Sequence, residues 1–179
     1  MSGQRPRRLF LLRHAKAVPP AGRDDFQREL APRGRADAAR VGLRLAADER
    51  PPQVAFHSGA ARAEQTAAIA LQALSAGIEA REDPLIYEAS LATLERLVRR
   101  LPDAFASILL VGHNPGFGEL AVALCGRGDF RAQAMMAKKF PTAGLAVIDF
   151  SAPSWADATP GAGTLQEFLS PAMLGERDD

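Results

Sequence analysis

A short apolar run that ends in an arginine and a histidine most constrains the fold of this chain. Residues 9–12 (Leu-Phe-Leu-Leu) form the run, and Arg13 and His14 follow it directly. An uninterrupted apolar run of this length, closed by charge, predicts a buried strand of a parallel sheet. Open α/β sheets bind ligands at the carboxyl ends of their strands, so we expect Arg13 and His14 side by side at the floor of a pocket. A fixed cation beside a titratable imidazole suits the binding and attack of a phosphoryl group.

Two further segments repeat this design. Residues 108–111 form a second apolar run, and His113 follows after one glycine, where a helix is predicted to begin. Residues 54–56 form a third run, and Ser58 and Arg62 come after it, with Arg62 in the first turns of another predicted helix. Free backbone N–H groups at the start of a helix favour an anion. Three strand ends therefore offer two histidines and two arginines.

The composition is that of one domain with little overall charge. With 179 residues, 47% of them hydrophobic, the chain can bury one sizeable core, so residues 1–179 are predicted to form a single domain. Its 22 basic and 21 acidic residues nearly cancel, which argues against nucleic acid and membrane surfaces as partners. Cys125 is the single cysteine, which favours a reducing compartment and predicts a cytoplasmic location.

The amino-terminal segment is basic. The apolar run that follows it is too short for a signal peptide and ends in charge, so none is predicted. No stretch approaches the roughly 18 consecutive apolar residues of a membrane span. Residues 1–7 are predicted to be a flexible basic tail rather than a nucleic-acid arm.

Strands alternate with amphipathic helices along the chain. The predicted inward-facing positions are Ala38, Val41 and Leu45; Ala67, Ala70, Leu71 and Leu74; Leu91, Leu94, Val98 and Leu101; and Phe117, Leu120, Ala121 and Leu124. Pro32 is expected to open the first helix, and Asn114 to cap the last, with Pro115 as its first residue. The alternation predicts a three-layer α/β fold with a mostly parallel central sheet and helices on both faces. Residues 145–150 are predicted as the last clear strand, and the segment after them as an ordered wrap.

Phosphoryl transfer explains why these residue types belong together. A phosphoryl group in transfer carries negative charge on its oxygens, so a catalyst must surround them with cations and N–H donors. The guanidinium groups of Arg13 and Arg62 can each hold two oxygens and do not lose their proton. A neutral imidazole can attack phosphorus covalently and so divide one hard hydrolysis into two transfers.

Plainer interpretations hold for several other residues. His57 is expected to be a pocket wall or a capping residue, and the Ser58 hydroxyl a helix cap rather than a nucleophile, since no Gly-x-Ser-x-Gly surrounds it. No two of the histidines and the cysteine have the spacing of a zinc site, so neither metal nor cofactor is predicted. Residues 135–139 are interpreted as a loop or helix edge; Lys138 and Lys139 could attract an acidic partner but are assigned no role.

Three motifs in a fixed order carry a family resemblance. They are Arg13-His14-Ala15, Ser58 with Arg62-Ala63-Glu64-Gln65-Thr66, and Gly112-His113. Further support comes from Asp25-Phe26-Gln27-Arg28-Glu29-Leu30 with Gly34, from Pro141-Thr142-Ala143, and from Trp155 and residues 165–171. Together they resemble the histidine phosphatase superfamily, which includes the phosphoglycerate mutases, and within it the SixA-like phosphohistidine phosphatases. The resemblance runs from about residue 8 to about residue 174 and implies a phosphoglycerate mutase-like fold.

The resemblance also implies roles for individual residues. His14 would be the nucleophile, and His113 would donate a hydrogen bond to the transferring oxygens. Glu88 would occupy the place, by order along the chain, of the carboxylate that protonates the leaving group in mutase-like relatives. Ser58 and Asn114 are predicted to contact the substrate.

Arg28 is predicted to add a third guanidinium at the pocket rim. Here the chain departs from the SixA-like pattern, because Glu29-Leu30-Ala31 stands where that branch has Pro-Leu-Thr. The missing Thr removes an expected cap of the following helix. An alternative is that Glu29 pairs with Arg28 and dilutes its charge.

The function predicted from these features is that of a metal-independent phosphatase that forms a phospho-His14 intermediate. Its partner would be a protein-borne phosphohistidine, because no long insertion precedes Gly112-His113 and the pocket should be open. Two alternatives remain: a phosphatase for a small phosphorylated metabolite, and a non-catalytic module that recognises phosphate. The intact His14 argues against the second.

Overall fold

The computed structural model describes residues 6–175, which form a seven-stranded mixed sheet covered by helices on both faces. The strands are β1 (Arg7–Arg13), β2 (Val54–His57), β3 (Ala80–Glu82), β4 (Ser107–Gly112), β5 (Cys125–Gly128), β6 (Leu145–Phe150) and β7 (Gly163–Leu169). Their order across the sheet is β3-β2-β4-β1-β6-β7-β5, and β6 alone runs antiparallel to both of its neighbours. The sheet is therefore mostly parallel, as predicted.

The helices form two layers. They are α1 (Pro32–Ala46), α2 (Ala61–Leu71), α3 (Leu91–Arg99), α4 (Gly116–Leu124), α5 (Phe130–Lys138) and α6 (Pro171–Leu174). Alternate residues of β1 face opposite sides of the sheet: Phe10 and Leu12 pack with α1 and α2, whereas Leu9 and Leu11 pack with the cluster that includes α3 and α4. All four side chains are fully buried, so the apolar run reflects a strand covered on both faces.

Most of the predicted inward positions are buried. The α1 positions Ala38, Val41 and Leu45 and the α4 positions Phe117, Leu120, Ala121 and Leu124 have no exposed surface. α1 begins at Pro32, and its cap residue Ala31 makes no side-chain capping hydrogen bond, which agrees with the expected loss at this position.

The segment after residue 150 was predicted wrongly. It does not merely wrap the domain, because β7 pairs with both β6 and β5 inside the sheet. The sequence of β7 mixes buried and exposed positions, so its pattern is weak, yet its backbone supplies hydrogen bonds to the far edge of β6. The short strand β3 was missed as well, because none of its residues is buried.

Three further boundaries differ from the predictions. α5 was interpreted as a loop or helix edge; only Met136 in it is buried, so no apolar stripe reveals it, and the Asp129 carboxylate caps it by accepting the Ala132 N–H at 2.8 Å. α4 begins at Gly116 rather than at Pro115. Arg7 belongs to β1, and its guanidinium donates to the Asp103 carbonyl at 2.9 Å, while residues 1–5 of the predicted tail lie outside the described residues.

Within residues 6–175 no helix has both the length and the apolar content that crossing a membrane requires. Three neighbouring parallel strands, β2, β4 and β1, end at the same edge of the sheet. Because parallel strands present their carboxyl ends together, the residues that follow these three strands converge.

Candidate active site

His14, Ser58 and His113 follow β1, β2 and β4 and meet at this edge. The imidazole rings of His14 and His113 have their centroids 5.1 Å apart. Ser58 Oγ lies 2.6 Å from His113 Nε2. Gly112, directly before His113, allows the Phe117 ring to pack against the end of β4, because a Cβ there would lie 2.3 Å from a ring carbon of Phe117.

His14 is held in the form that a nucleophile needs. Its Nδ1 lies 2.8 Å from the Ala15 carbonyl oxygen, which can only accept, so Nδ1 carries the proton and Nε2 keeps its lone pair. Burial, with smaller contributions from Arg62 and Arg13, lowers the pKa of His14 to about 4. The ring is therefore neutral at pH 7, as covalent attack on phosphorus requires.

Thr66 ties the loop that carries His14 to the helix that carries Arg62. Its fully buried hydroxyl donates to the Arg62 carbonyl at 2.6 Å and accepts the Ala15 N–H at 3.0 Å. This explains why the motif after Arg62 includes a threonine four residues later.

Asp25 lies between two of the predicted arginines. Arg62 donates from Nη1 to the Asp25 main-chain carbonyl at 2.7 Å and from Nη2 to Oδ2 at 3.0 Å. Arg28 donates from Nη1 to Asp25 Oδ1 at 2.9 Å. The alternative pairing of Arg28 with Glu29 was wrong, since Glu29 accepts instead from Gln65 Nε2 at 3.3 Å.

Tyr87 completes this arrangement. Its hydroxyl donates to Asp25 Oδ2 at 2.7 Å, and its ring packs edge-on against His113 with centroids 5.5 Å apart. The hydrogen bond from Tyr87, together with Arg28 and Arg62, holds the pKa of the Asp25 carboxyl far below its usual range. Burial and Asp25 raise the pKa of Tyr87 to about 12, so this phenol keeps its proton.

Sequence reasoning assigned no role to Asp25 or Tyr87. Asp25 begins the Asp25 to Leu30 motif, and Tyr87 directly precedes Glu88, so both lie in or beside segments with a predicted site residue. Their hydrogen bond joins residues 62 positions apart, and no local pattern signals such a contact.

Arg13 and Asn114 share one acceptor. Arg13 Nη1 and Asn114 Nδ2 donate to the Phe140 carbonyl at 3.0 Å and 2.7 Å. Asn114 Oδ1 accepts the Gly118 N–H at 3.1 Å, so the side chain serves the start of α4 although it lies outside the formal cap position. The amide nitrogen and oxygen of Asn114 each make one bond to a backbone group, which leaves one N–H and one lone pair for a substrate.

Ser58 and His57 act on the turn after β2. Ser58 is not the cap of α2, whose cap residue is Ala60; its Oγ accepts the Ala60 N–H at 3.3 Å, before the helix begins. His57 Nδ1 accepts the Gly59 N–H at 3.1 Å, which is the capping type of role predicted for it.

Glu88 lies at the opening of the site. Its side chain is exposed, and it lines a cavity of about 460 Å³ together with Arg62, His113, Asn114 and Glu119. Its backbone has φ of +50°, a left-handed conformation that is uncommon for a residue with a side chain and is concentrated at functional sites.

Buried polar atoms without partners concentrate here. Among residues 6–175, four buried side-chain polar atoms have no hydrogen-bond partner, and three of them are Arg13 Nε, Arg62 Nε and His113 Nδ1. An unsatisfied buried polar group costs about 1–3 kcal/mol, so an anion that accepted from these groups would be stabilised. Burial, then the neighbouring His14 and Arg62, lower the pKa of His113 to about 3, and its ring is also neutral. No grouping of three or more His, Cys, Asp and Glu side chains within the described residues could hold a metal ion.

The sequence of residues 9–151 matches the family model of the histidine phosphatase superfamily (branch 1). The chain belongs to this superfamily. It is 35% identical over 164 residues to the uncharacterized protein Rv1276c of Mycobacterium tuberculosis (strain ATCC 25618 / H37Rv). The matched region covers 89% of this chain and 99% of the relative.

Solved structures agree with the family. A putative phosphohistidine phosphatase SixA from Agrobacterium tumefaciens is 32% identical with a TM-score of 0.77, covering 93% of this chain and 99% of that one. A putative phosphohistidine phosphatase SixA from Nakamurella multipartitia is 24% identical with a TM-score of 0.81, covering 93% and 97%. The chain is thus a SixA-like member of the histidine phosphatase superfamily and a phosphatase, as predicted.

Proposed function

We propose that this phosphatase hydrolyses phosphohistidine on a protein through a phospho-His14 intermediate. The observation that carries the proposal is the neutral His14 ring, whose Nδ1 is bonded to a carbonyl and whose Nε2 is free, set among the guanidinium groups of Arg13, Arg28 and Arg62. The similarity to SixA proteins described as putative phosphohistidine phosphatases supports the same substrate class.

In the first step, His14 Nε2 attacks phosphorus and forms a new N–P bond. The N–P bond to the substrate imidazole breaks, and its electron pair stays on the leaving nitrogen, which takes a proton from Glu88 or from solvent water. Arg13 and Arg62 neutralise charge on the oxygens in transfer, and His113 is the candidate N–H donor beside them.

In the second step, water attacks phosphorus of phospho-His14. The O–P bond forms as the His14 N–P bond breaks, and inorganic phosphate leaves as H2PO4⁻, which keeps the oxygen and both protons of the water molecule. His14 returns to the neutral form with its proton on Nδ1, ready for another turnover.

The acid groups of the site favour an easily expelled leaving group. Asp25 is ionised at neutral pH because Tyr87, Arg28 and Arg62 stabilise its carboxylate, so it has no proton to donate. Glu88 is the remaining candidate proton donor, and its side chain is exposed. An imidazole nitrogen leaves more readily than an alkoxide and needs less help from such an acid.

The proposal is tested by comparing a phosphohistidine peptide with a panel of phosphomonoesters as substrates. We expect the peptide to have the higher kcat/KM and expect acid-labile label to be retained on wild-type protein after rapid quenching. His14→Ala should abolish both turnover and labelling, with a loss on the order of 10⁴-fold or more, while the far-UV circular dichroism is unchanged.

Other outcomes decide between the alternatives. Faster turnover of a small phosphomonoester would favour the metabolite phosphatase. Phosphate binding without turnover of any substrate would favour the recognition module. Hydrolysis unaffected by His14→Ala would refute the covalent mechanism.

The role of Glu88 is separable by leaving group. Glu88→Gln should lose little on a phosphohistidine peptide or an activated aryl phosphate, and roughly 10²-fold on an alkyl phosphate, because proton donation matters more for a poor leaving group. An equal, large loss on every substrate would remove the reason for preferring phosphohistidine. An equal, small loss would mean that Glu88 only shapes the opening.

We also propose that the protein is located in the cytoplasm. Cys125 is a free thiol, half-buried at the end of α4, and the described residues contain no disulfide. A cytoplasmic location suits such a thiol.

A further inference from the structure

A second cavity, of about 400 Å³, lies beside the active site. We call it the basic groove. The residues that line it include Lys16, Arg33, Asp37, Lys139, Pro171 and Ala172. None of these residues has a role in the proposed chemistry.

The groove carries an excess of positive charge. Its one carboxylate, Asp37, is buried and accepts from Arg40 Nη1 at 3.0 Å, with Arg33 Nε at 3.9 Å. Within the part of the chain that the structure describes, the ammonium groups of Lys16 and Lys139 form neither a hydrogen bond nor an ion pair. Both lysines are exposed and are free to bind an anion.

Both walls of the groove continue segments that build the active site. Lys16 lies two residues after His14 on the loop that follows β1. On the other wall, Phe140 accepts from Arg13, and the Ala143 N–H lies 3.1 Å from the carbonyl oxygens of both Arg13 and His14. A ligand bound at His14 therefore has the basic groove at its side.

The charged surface is elongated. A further depression of about 240 Å³ shares Arg33, Asp37, Pro171 and Ala172 with the groove and adds Arg40 and Gly175. Cations spread over two adjoining depressions match an extended chain with several carboxylates better than a compact second phosphate.

We propose that the basic groove binds acidic residues that flank the phosphorylated histidine in the protein substrate. This rests on the proposed function and extends it, because it assigns a sequence preference to that substrate. Each contact involves an exposed lysine and is individually weak, so specificity comes from several charges acting together.

Two neighbouring lysines, Lys138 at the end of α5 and Lys139 directly after it, offer a matched test. Lys139 lines the groove, whereas Lys138, adjacent in sequence and also exposed, does not. Lys139→Glu and Lys138→Glu make the same change of charge one residue apart. Each variant is compared with wild type on two phosphohistidine peptides of equal length, one with Asp and Glu flanks and one with Asn and Gln flanks, and on p-nitrophenyl phosphate.

We expect wild type to prefer the acidic peptide. Lys139→Glu should lower kcat/KM for that peptide about tenfold, mostly through KM, and should change the neutral peptide and p-nitrophenyl phosphate less than about twofold. Lys138→Glu should stay within about twofold on all three substrates. The preference for the acidic peptide should disappear in 0.5 M salt, because exposed charges are screened.

Equal turnover of the two peptides by wild type would overturn the proposal, and so would equal losses in the two lysine variants. A loss on p-nitrophenyl phosphate as large as on the acidic peptide would mean that Lys139 serves the chemistry instead. Failure of the proposed function looks different: wild type would then hydrolyse p-nitrophenyl phosphate but neither peptide. In that case, the proposal for the groove is tested separately by measuring the binding of the unphosphorylated acidic peptide to wild type and both variants by fluorescence anisotropy. No binding by wild type would refute the proposal that the groove binds acidic residues.

Discussion

Two of the three arginines of strand β1, Arg8 near its amino end and Arg13 at its carboxyl end, have opposite surroundings. At the amino end, Arg8 donates from Nε and Nη2 to the two oxygens of Asp149, both at 2.9 Å, and from Nη1 to Asp48 at 2.6 Å. At the carboxyl end, the Arg13 guanidinium donates to one backbone carbonyl, and its Nε has no partner among the described residues.

The neighbours of each arginine extend this contrast. Around Arg8, the guanidinium groups of Arg50 and Arg44 also bind the shared carboxylates, Arg50 to Asp149 at 2.7 Å and Arg44 to Asp48 at 3.2 Å. Arg44 binds Glu167 in addition, so three guanidinium groups meet three carboxylates. The exposed Glu49 lies farther away, 3.9 Å from Arg8.

Near the carboxyl end of β1, the guanidinium groups of Arg28 and Arg62 share one carboxylate, that of Asp25, and Arg13 is paired with no carboxylate among the described residues. The comparison teaches how one residue type serves two purposes. A balanced cluster is complete without a ligand and stabilises the fold, whereas an unbalanced cluster is completed by an anion.

Removing Arg62 should produce the largest change in activity. Arg62→Met keeps much of the apolar stem but removes the guanidinium, and we expect kcat/KM to fall by about 10²–10³-fold, the scale of a lost transition-state donor. Titration calorimetry with inorganic phosphate should show most of the affinity lost. The free energy of unfolding in urea should change by less than about 1 kcal/mol. Unchanged phosphate binding would place Arg62 outside the anion site.

The matched change at the other end should have the reverse effect. Arg8→Met leaves Asp48 and Asp149 in a buried cluster with fewer cations, so we expect a loss of about 3 kcal/mol in the free energy of unfolding. Activity per folded molecule should be unchanged. A stable Arg8→Met variant, or one with impaired chemistry, would break the distinction between the two ends.

Asp25→Asn should have a smaller effect than Arg62→Met on the affinity for phosphate. The affinity should rise rather than fall. The substitution keeps the shape of the side chain but removes the internal anion that pairs with Arg62 and Arg28, so inorganic phosphate should bind about tenfold more tightly, or about 1.4 kcal/mol. Calorimetry on wild type and variant measures this directly. Weaker binding would mean that Asp25 serves mainly to orient Arg62.

The dependence of stability on pH should show the smallest effect. The pKa values of His14 and His113 in the folded protein, about 4 and about 3, lie below the ordinary value of 6.5, so the unfolded chain takes up protons first as the pH falls. Their contribution is complete above pH 6.5 and is lost toward pH 4 and 3. Between pH 7.5 and 6 each should cost less than about 1 kcal/mol.

The two ends of β1 should differ in their pH windows as well. Asp48 has its pKa lowered from 3.8, so the amino-end cluster loses stability only below that range. His14→Gln should flatten urea-derived stability between pH 6.5 and 4, and Arg8→Met should not. Imidazole NMR signals of His14 or His113 that titrate near pH 6.5 would contradict the assigned neutral rings.

Much of the fold was predictable because its centre is covered on both faces. The runs around Phe10 and Leu109 lie in strands flanked by two helical layers, and a doubly covered strand must be apolar at every position. β7 and α5 were not predictable in the same way. Their sequences mix buried and exposed positions, and β7 is fixed by its pairing with β6 rather than by its own residues.

The amino-acid sequence by itself determined the ends of β1, β2 and β4 and the residue types there, because apolar runs and the charges that close them are local features. It therefore predicted His14, Arg62 and His113 at one edge of the sheet. The tertiary structure alone decided which charges are paired. Asp25 reaches Arg62 across 37 positions and Tyr87 across 62, while Asp149 reaches Arg8 across 141. An ion pair depends on distance in space, and only the folded chain pairs Arg8 with carboxylates and leaves Arg13 Nε without a partner among the described residues.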